Sequence, residues 1–255
     1  MSITEIKKEA RDALKGNWGK AVCIILAYML FTFALGFVEG FFEGNTVLFF
    51  LIEIAVLVIS MPLSFGLLIS FMKLKRGEDV KSFGFLKDGF SRFGKSWGIW
   101  WHTFVRLLLP MVCLILIAIL MTFLTIFANS LNTATVATST GSILSILSTV
   151  IYIATLIYVV SRAFLYILAY NIGYDNSELS SKDCVLKSET LMKGNRGTYF
   201  LLELSFIGWA ILAVFTLGIG LLWLAPYMQV AAICFNDRFA KPEVKTVEEE
   251  VKIEQ

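Results

Sequence analysis

The chain has 255 residues, of which 57% are hydrophobic and 16% are charged, and its formal net charge is +2. Soluble domains contain about 45–50% apolar and about 25% charged residues, so this surplus of apolar side chains has no place on a water-exposed surface. The composition excludes a disordered chain, a collagen-like chain and a small disulfide scaffold.

Six apolar stretches are long enough, or nearly so, to cross a membrane as helices, which takes about 20 residues. In chain order they cover residues 21–38, 46–72, 107–128, 143–170, 199–217 and 221–235. The last stretch is short, and only the turn at 218–220 separates it from the fifth, so this pair is also compatible with a re-entrant hairpin. The predicted fold class is an all-α, polytopic membrane protein with six transmembrane helices.

The basic residues predict the orientation of these helices. Twenty of the 22 Lys and Arg residues precede the first span, follow the sixth, or lie between spans two and three or spans four and five. The other connections, at 39–45, 129–142 and 218–220, contain none. Because cytoplasmic loops collect Lys and Arg, this alternation predicts six membrane crossings with both termini in the cytoplasm.

Amphipathic segments precede the spans on the predicted cytoplasmic side. Apolar residues recur at spacings of three and four before spans one, three and five, which predicts three interfacial helices. The first and last segments end on the same motif, Lys-Gly-Asn-x-Gly, at 15–19 and 193–197. The turn residues are Gly16, Asn17, Trp18, Gly19, Gly194, Asn195 and Gly197. Glycine lets the chain turn from the interface into the membrane, and we expect the asparagine to cap the new helix.

The recurring motif predicts the domain organisation. A single membrane domain covers 1–238, with repeat units over 1–77, 78–177 and 178–238, and a polar cytoplasmic tail covers 239–255. In the second unit the turn is looser, and Gly94 and Gly98 flank Lys-Ser-Trp there. Chance recurrence of short strings at helix starts is the alternative to a true duplication.

The same motifs carry a family resemblance. Lys-Gly-Asn-Trp-Gly-Lys-Ala at 15–21 resembles the opening motif of an uncharacterised bacterial integral-membrane family, domain of unknown function nine hundred and seventy-five. The stretches at 191–195, 204–209, 216–223 and 226–227 are similar to the C-terminal pattern of that family. The resemblance implies a polytopic bacterial membrane protein, and it implies no reaction and no catalytic residues.

Ionisable side chains within or bordering the spans are the candidates for a functional site, because a charge is costly in hydrocarbon. Glu53, in span two, is either a proton or cation site on an outward-facing path or a carboxyl group hydrogen-bonded to a neighbouring helix. Arg106, Arg162 and Glu203 lie at the depth of the inner leaflet. Three interpretations remain open for this group: an ion pair between Arg162 and Glu203, snorkelling to the headgroups, and a basic pocket for an anionic lipid.

The sequence carries no signature of an enzyme. It has no Walker loop, nucleophile elbow or paired His/Glu zinc motif, and the lone His102 has no second ligand nearby, so we expect no catalysis, metal or cofactor. We expect membrane lipids as partners, anionic at the cytoplasmic face, together with another membrane protein and no nucleic acid. The predicted function is non-enzymatic binding of lipid, peptide or protein. The alternative is a small transporter or channel using Glu53 and a helix kinked at Pro62.

Overall fold

The computed structural model describes residues 2–42, 44–130 and 137–240, without the side chains at 109, 128–129, 137–145 and 240. Over these residues the chain forms helices and turns and no strand, which confirms the predicted all-α class. The helices are α1 Ile3–Leu14, α2 Trp18–Gly40, α3 Thr46–Lys75, α4 Gly84–Ser91, α5 Phe93–Ser130, α6 Ala137–Ala163, α7 Ala169–Asp175, α8 Ser181–Met192, α9 Arg196–Leu204, α10 Ile207–Phe215 and α11 Leu221–Ala240, with a 3-10 turn at Phe164–Tyr166. Most of the predicted tail, from residue 241 onward, lies outside the described residues.

Five helical segments of the described chain are long and apolar enough to cross a membrane. They are Trp18–Gly40, Thr46–Lys75, Phe93–Phe127, Ile146–Asp175 and Arg196–Phe215. The predicted sixth span lies in α11, which is not among them. This helix has 20 residues, and its last turns carry the polar residues Asn236, Asp237 and Arg238.

Two of the candidate spans are interrupted helices. The fourth passes from α6 through the 3-10 turn into α7, and the fifth breaks at Ser205 and Phe206, between α9 and α10. The predicted glycine break before span three is wrong. The chain turns at Arg92, and Gly94 and Gly98 both lie inside α5.

The hydrophobic core lies at one end of the bundle, which we call the packed end, where α1, α4 and α8 meet the longer helices. Every buried residue of α3 falls between Pro62 and Leu74, whereas apolar side chains from Val47 to Leu57 are largely exposed. Lipid tails are as apolar as these side chains, so an exposed apolar surface suits a helix embedded in a membrane. Tertiary packing is therefore concentrated at the packed end.

Each of the short helices α1, α4 and α8 packs on other helices of the packed end. Helix α4 packs on α3, α8 packs on α5, α7 and the 3-10 turn, and α1 packs on α11. The tightest of these contacts is between Gly66 of α3 and Gly89 of α4. A Cβ atom on Gly66 would stand 2.8 Å from the Gly89 nitrogen, and one on Gly89 would stand 2.8 Å from the Pro62 carbonyl carbon. Pro62 is thus part of a close helix contact.

Candidate functional site

The two Lys-Gly-Asn turns have the same backbone conformation. Lys15 has φ −60° and ψ 125°, and Lys193 has φ −62° and ψ 118°. The following glycines, Gly16 and Gly194, have φ +82° and +88°. This sequence of angles defines a type II β-turn, whose third residue needs a positive φ and therefore favours glycine. The predicted role of these two glycines in redirecting the chain is thus visible in the backbone.

The asparagines do not act as predicted. The main-chain N–H of Asn17 closes the first turn by donating to the Leu14 carbonyl at 2.9 Å, and that of Asn195 donates to Met192 at 3.1 Å. Neither side chain caps the following helix. After a type II turn both residues have ψ near 0°, whereas a capping residue needs extended backbone. The Asn195 amide instead donates to the Leu191 carbonyl at 2.9 Å and satisfies the end of α8.

The segments around the two turns also match. Helices α1 and α8 each have 12 residues, and each begins after a capping serine, Ser2 or Ser180. Beyond the turns, Gly19 and Gly197 are the second residues of α2 and α9, with open space around both. Trp18 starts α2 and packs against the ring of a tyrosine in α11.

Helix α1 is fixed to the packed end by a set of ion pairs. The Glu9 carboxylate lies 2.8 Å from an Arg238 guanidinium nitrogen and 3.1 Å from the Lys75 ammonium, which in turn lies 2.7 Å from Asp237. Partial burial alone would raise the pKa of Glu9, but the hydrogen bonds from Arg238 and Lys75 outweigh this effect and leave the pKa below its ordinary value. The charged form of Glu9 therefore holds α1 in place.

Lys7, on the other side of α1, reaches the break in the fifth span. Its ammonium group donates to the carbonyl and hydroxyl oxygens of Ser205, both at 3.2 Å, and lies 4.5 Å from the centre of the Phe206 ring. A break in a helix frees backbone carbonyls that need a donor, and Lys7 supplies one. Burial, helped by the nearby positive charge of Arg11, lowers the pKa of Lys7. Sequence analysis missed Lys7, although it lies beside the apolar stripe of α1.

Of the predicted intramembrane residues, Arg162 bonds to Tyr166, and Arg106 lies within electrostatic range of the same tyrosine. The Arg162 guanidinium donates to the Tyr166 hydroxyl at 3.3 Å, and Arg106 is close enough to interact electrostatically with the same group. Both arginines are half-buried, and Nη1 of Arg106 and Nε of Arg162 are buried with no hydrogen-bond partner among the described residues. A third arginine, Arg196, donates to the hydroxyl of Ser161, the residue before Arg162, at 3.3 Å.

The two predicted acids do not join this group. Glu203 forms no ion pair with Arg162 and lies next to the Tyr199 hydroxyl of its own helix. Glu53 is exposed on the apolar face of α3 and has no hydrogen bond or ion pair to any described residue. The four candidates therefore do not converge on one site. Tyr166 was missed by sequence analysis, although its position four residues after Arg162 places both on one helical face.

The described residues contain no group of three or more His, Cys, Asp or Glu side chains placed to hold a metal ion. What they do contain is a cluster of guanidinium groups at the packed end, which we call the arginine cluster: Arg106, Arg162 and Arg196, with Tyr166. Guanidinium groups donate hydrogen bonds in a planar fork that fits phosphate and carboxylate oxygens. The cluster is thus suited to an anion.

The fold defines an all-helical protein whose helices suit a membrane. The chain belongs to the family described as "Protein of unknown function (DUF975)", whose family model matches residues 1–242. This match confirms the resemblance found in the turn motifs. No curated protein and no solved structure matches the chain.

Proposed function

We propose that the protein is a non-enzymatic membrane protein that binds anionic lipid at its packed end, with the headgroup phosphate held by Arg106 and Arg162. The observation that carries the proposal is the pair of buried, unpartnered guanidinium nitrogens. A buried N–H donor of a charged group that lacks a partner costs about 1–3 kcal/mol or more, and a hydrogen-bonded anion offsets much of that cost. At the membrane surface, the abundant anion at this depth is the lipid phosphate.

Native mass spectrometry of the purified protein with added phosphatidylglycerol tests this proposal. A hydrogen bond to a charged group contributes about 1.5–3 kcal/mol, so Arg106→Gln and Arg162→Gln should each weaken lipid binding by about tenfold or more. The matched control is the double variant Lys87→Gln/Lys182→Gln, which removes two exposed positive charges from the neighbouring helices α4 and α8. Equal lipid binding by the arginine variants and the wild-type protein would refute the proposal.

A second arm separates the two sources of phosphate. Inorganic phosphate is added at increasing concentration to the protein–lipid complex. We expect the lipid to remain bound, because its acyl chains add apolar contacts that the free ion lacks. Displacement of the lipid at low phosphate concentration would mean that the arginine cluster is a site for a soluble anion, and the lipid-binding function would fail.

We propose further that the packed end faces the cytoplasm of a bacterial cell and that α11 is a sixth, shorter crossing. The placement of Lys and Arg supports both statements, because six crossings leave every basic connection on one side. Cysteine labelling of intact cells tests them. A cysteine at Ser180, before α8, should be protected from a membrane-impermeant reagent, and one at Ile219, in the turn before α11, should react.

The matching turns and helix lengths support the proposal that residues 1–77, 78–177 and 178–238 are repeat units. Within this arrangement α4 of the second unit packs on the first unit, and α8 of the third unit packs on the second. Helix α1 of the first unit packs on α11 of the third. The middle unit departs from the pattern, since it turns at Arg92 without a glycine in a positive φ conformation.

Transport through a path that includes Glu53 is the second candidate function. The observation that favours it is an ionisable side chain without a partner on a helix suited to cross the membrane. Neither Glu53 nor Pro62 lines the groove between α1, α10 and α11 or the cavity between α5 and α6. Ion flux into proteoliposomes that disappears in Glu53→Gln would establish transport in place of binding.

A further inference from the structure

We infer that a groove between α1, α10 and α11 is a second lipid site, which takes one acyl chain of an anionic phospholipid with its phosphate at Lys7 and Arg11. The inference deepens the proposed function but rests on different residues from the arginine cluster. The groove has a volume of about 610 Å³, which is within the usual range for ligand pockets.

The walls of the groove are apolar and aromatic. The groove is lined by Trp18, Trp209, Leu212, Trp223 and Tyr227, and three of these side chains on α10 and α11 are at least half exposed. Trp209 is 60% exposed and Trp223 is 50% exposed, so a chain entering from the membrane would cover aromatic surface on both sides. This wall is suited to a hydrocarbon chain.

The end of the groove next to α1 is cationic. Lys7 and Arg11 are one helical turn apart and both line the groove. No carboxylate lines it, and two of the three acidic residues of α1, Glu5 and Glu9, pair with Arg238 instead. Arg11 has no hydrogen bond or ion pair to any described residue. Two neighbouring cations at the mouth of an apolar groove are complementary to an anionic headgroup on an acyl chain.

The mouth is also held in a fixed position. The Tyr227 hydroxyl of α11 donates to the main-chain carbonyl of Lys7 at 3.1 Å, and the Lys7 ammonium is anchored on Ser205. The side chain of Lys7 therefore remains at the groove without a ligand, and less conformational entropy is lost when an anion binds there. Lys7 retains one donor after its two bonds to Ser205.

Tryptophan fluorescence provides the test, because the six tryptophans fall into two sets. Three line the groove, and the others, Trp97, Trp100 and Trp101, lie on α5. In a variant with Trp97, Trp100 and Trp101 changed to phenylalanine, the remaining tryptophan fluorescence reports on the groove alone. This variant is placed in nanodiscs that mix phosphatidylcholine and phosphatidylglycerol in varying proportions. In one series the phosphatidylglycerol carries bromine on its acyl chains, and in the other the phosphatidylcholine does. We expect brominated phosphatidylglycerol to quench at a lower mole fraction than brominated phosphatidylcholine.

The charge variants then decide the assignment. A cation near the membrane surface strengthens binding of an anionic lipid by about fivefold, so Arg11→Gln should reduce the preference for phosphatidylglycerol by that factor. Arg11 forms no hydrogen bond or ion pair to any described residue, so Arg11→Gln leaves the contacts of Lys7 with Ser205 and Tyr227 in place. The matched control, Lys8→Gln/Lys15→Gln, removes two exposed charges of the same segment that do not line the groove.

Two results would overturn the inference. One is equal quenching by the two brominated lipids in the starting protein, and the other is an equal loss of preference in Arg11→Gln and the control. The arginine-cluster variant Arg162→Gln should leave the quenching unchanged. The groove and the cluster can therefore fail separately.

Discussion

The type II turns make a direct prediction about glycine. Gly16→Ala and Gly194→Ala should each destabilise the protein, although an added Cβ atom would meet no other atom within 4 Å at either position. The penalty comes from the backbone alone, because an alanine held at φ +82° or +88° costs roughly 1–2 kcal/mol. Glycine also loses more conformational freedom on folding than alanine, which offsets part of this cost. The net expectation is about 1 kcal/mol.

The same motif provides the matched controls. Gly19 and Gly197 are also surrounded by open space, but they lie in the first turns of α2 and α9 with ordinary helical φ. Alanine is favoured over glycine in a helix by up to about 1 kcal/mol, so Gly19→Ala and Gly197→Ala should be neutral or stabilising. Each pair of substitutions, three residues apart, should therefore have effects of opposite sign.

Thermal unfolding of the purified protein in detergent, followed by intrinsic tryptophan fluorescence, measures the difference. For a chain of this size 1 kcal/mol corresponds to about 2–4 °C in Tm, so Gly16→Ala should fall below Gly19→Ala by roughly 3–6 °C. Gly16→Asn should recover part of the loss, because asparagine tolerates a positive φ better than alanine. Equal Tm shifts for Gly16→Ala and Gly19→Ala would refute the argument from the turn conformation.

Three further outcomes follow from other contacts. Gly66→Ala should destabilise the protein by about 3 kcal/mol or more, because its Cβ atom would press on the backbone of α4, whereas Gly36→Ala, in open space, should not; Tm measures both. Glu9→Gln should cost about 1–2 kcal/mol at pH 7, whereas Glu78→Gln, an exposed acid, should cost little. Since the pKa of Glu9 is lowered on folding, its contribution is present at neutral pH and is lost as the pH falls below about 4.5, so Tm should drop less in Glu9→Gln than in the wild type between pH 7 and 4. If binding is the function, proteoliposomes with wild-type protein and with Glu53→Gln should show equal ion flux.

Hydropathy predicted the main helices because the length and apolar composition of a segment decide, without reference to other segments, whether it suits a membrane. The predicted spans 21–38 and 46–72 fall inside α2 and α3. The turn motif was predictable for a similar reason, since a type II turn is a local structure with a local glycine requirement. The capping role of Asn17 was wrong because it assumed an extended backbone, which the turn itself prevents.

The contacts between distant segments were not predictable in the same way. The break at Ser205 is matched to Lys7, 198 residues earlier in the chain, and no local pattern around Ser205 announces it. Likewise, the approach of Arg106 to the tyrosine that Arg162 contacts depends on the packing of α5 on α6. The pairing of Arg162 with Glu203, one of the three interpretations left open, relied on shared depth alone. Two residues at the same depth can lie on faces of their helices that do not meet, and Glu203 lies beside Tyr199 instead.

The helices before the two turns differ at the positions of the two cations that we propose to hold the lipid phosphate. At the same distance before the turn where α1 has Lys7, α8 has Val185, which is fully buried, and where α1 has Arg11, α8 has Glu189. The shared features of the two segments are therefore structural, namely the cap, the helix length and the turn, whereas the cations belong to α1 alone. Under the proposed repeat, the groove is a specialisation of the first unit. The variant Lys7→Val/Arg11→Glu gives α1 the residues of α8 at these two positions. It should leave the turn intact and abolish the preference for phosphatidylglycerol at the groove tryptophans, and a preserved preference would mean that the aromatic walls select the lipid without the charges.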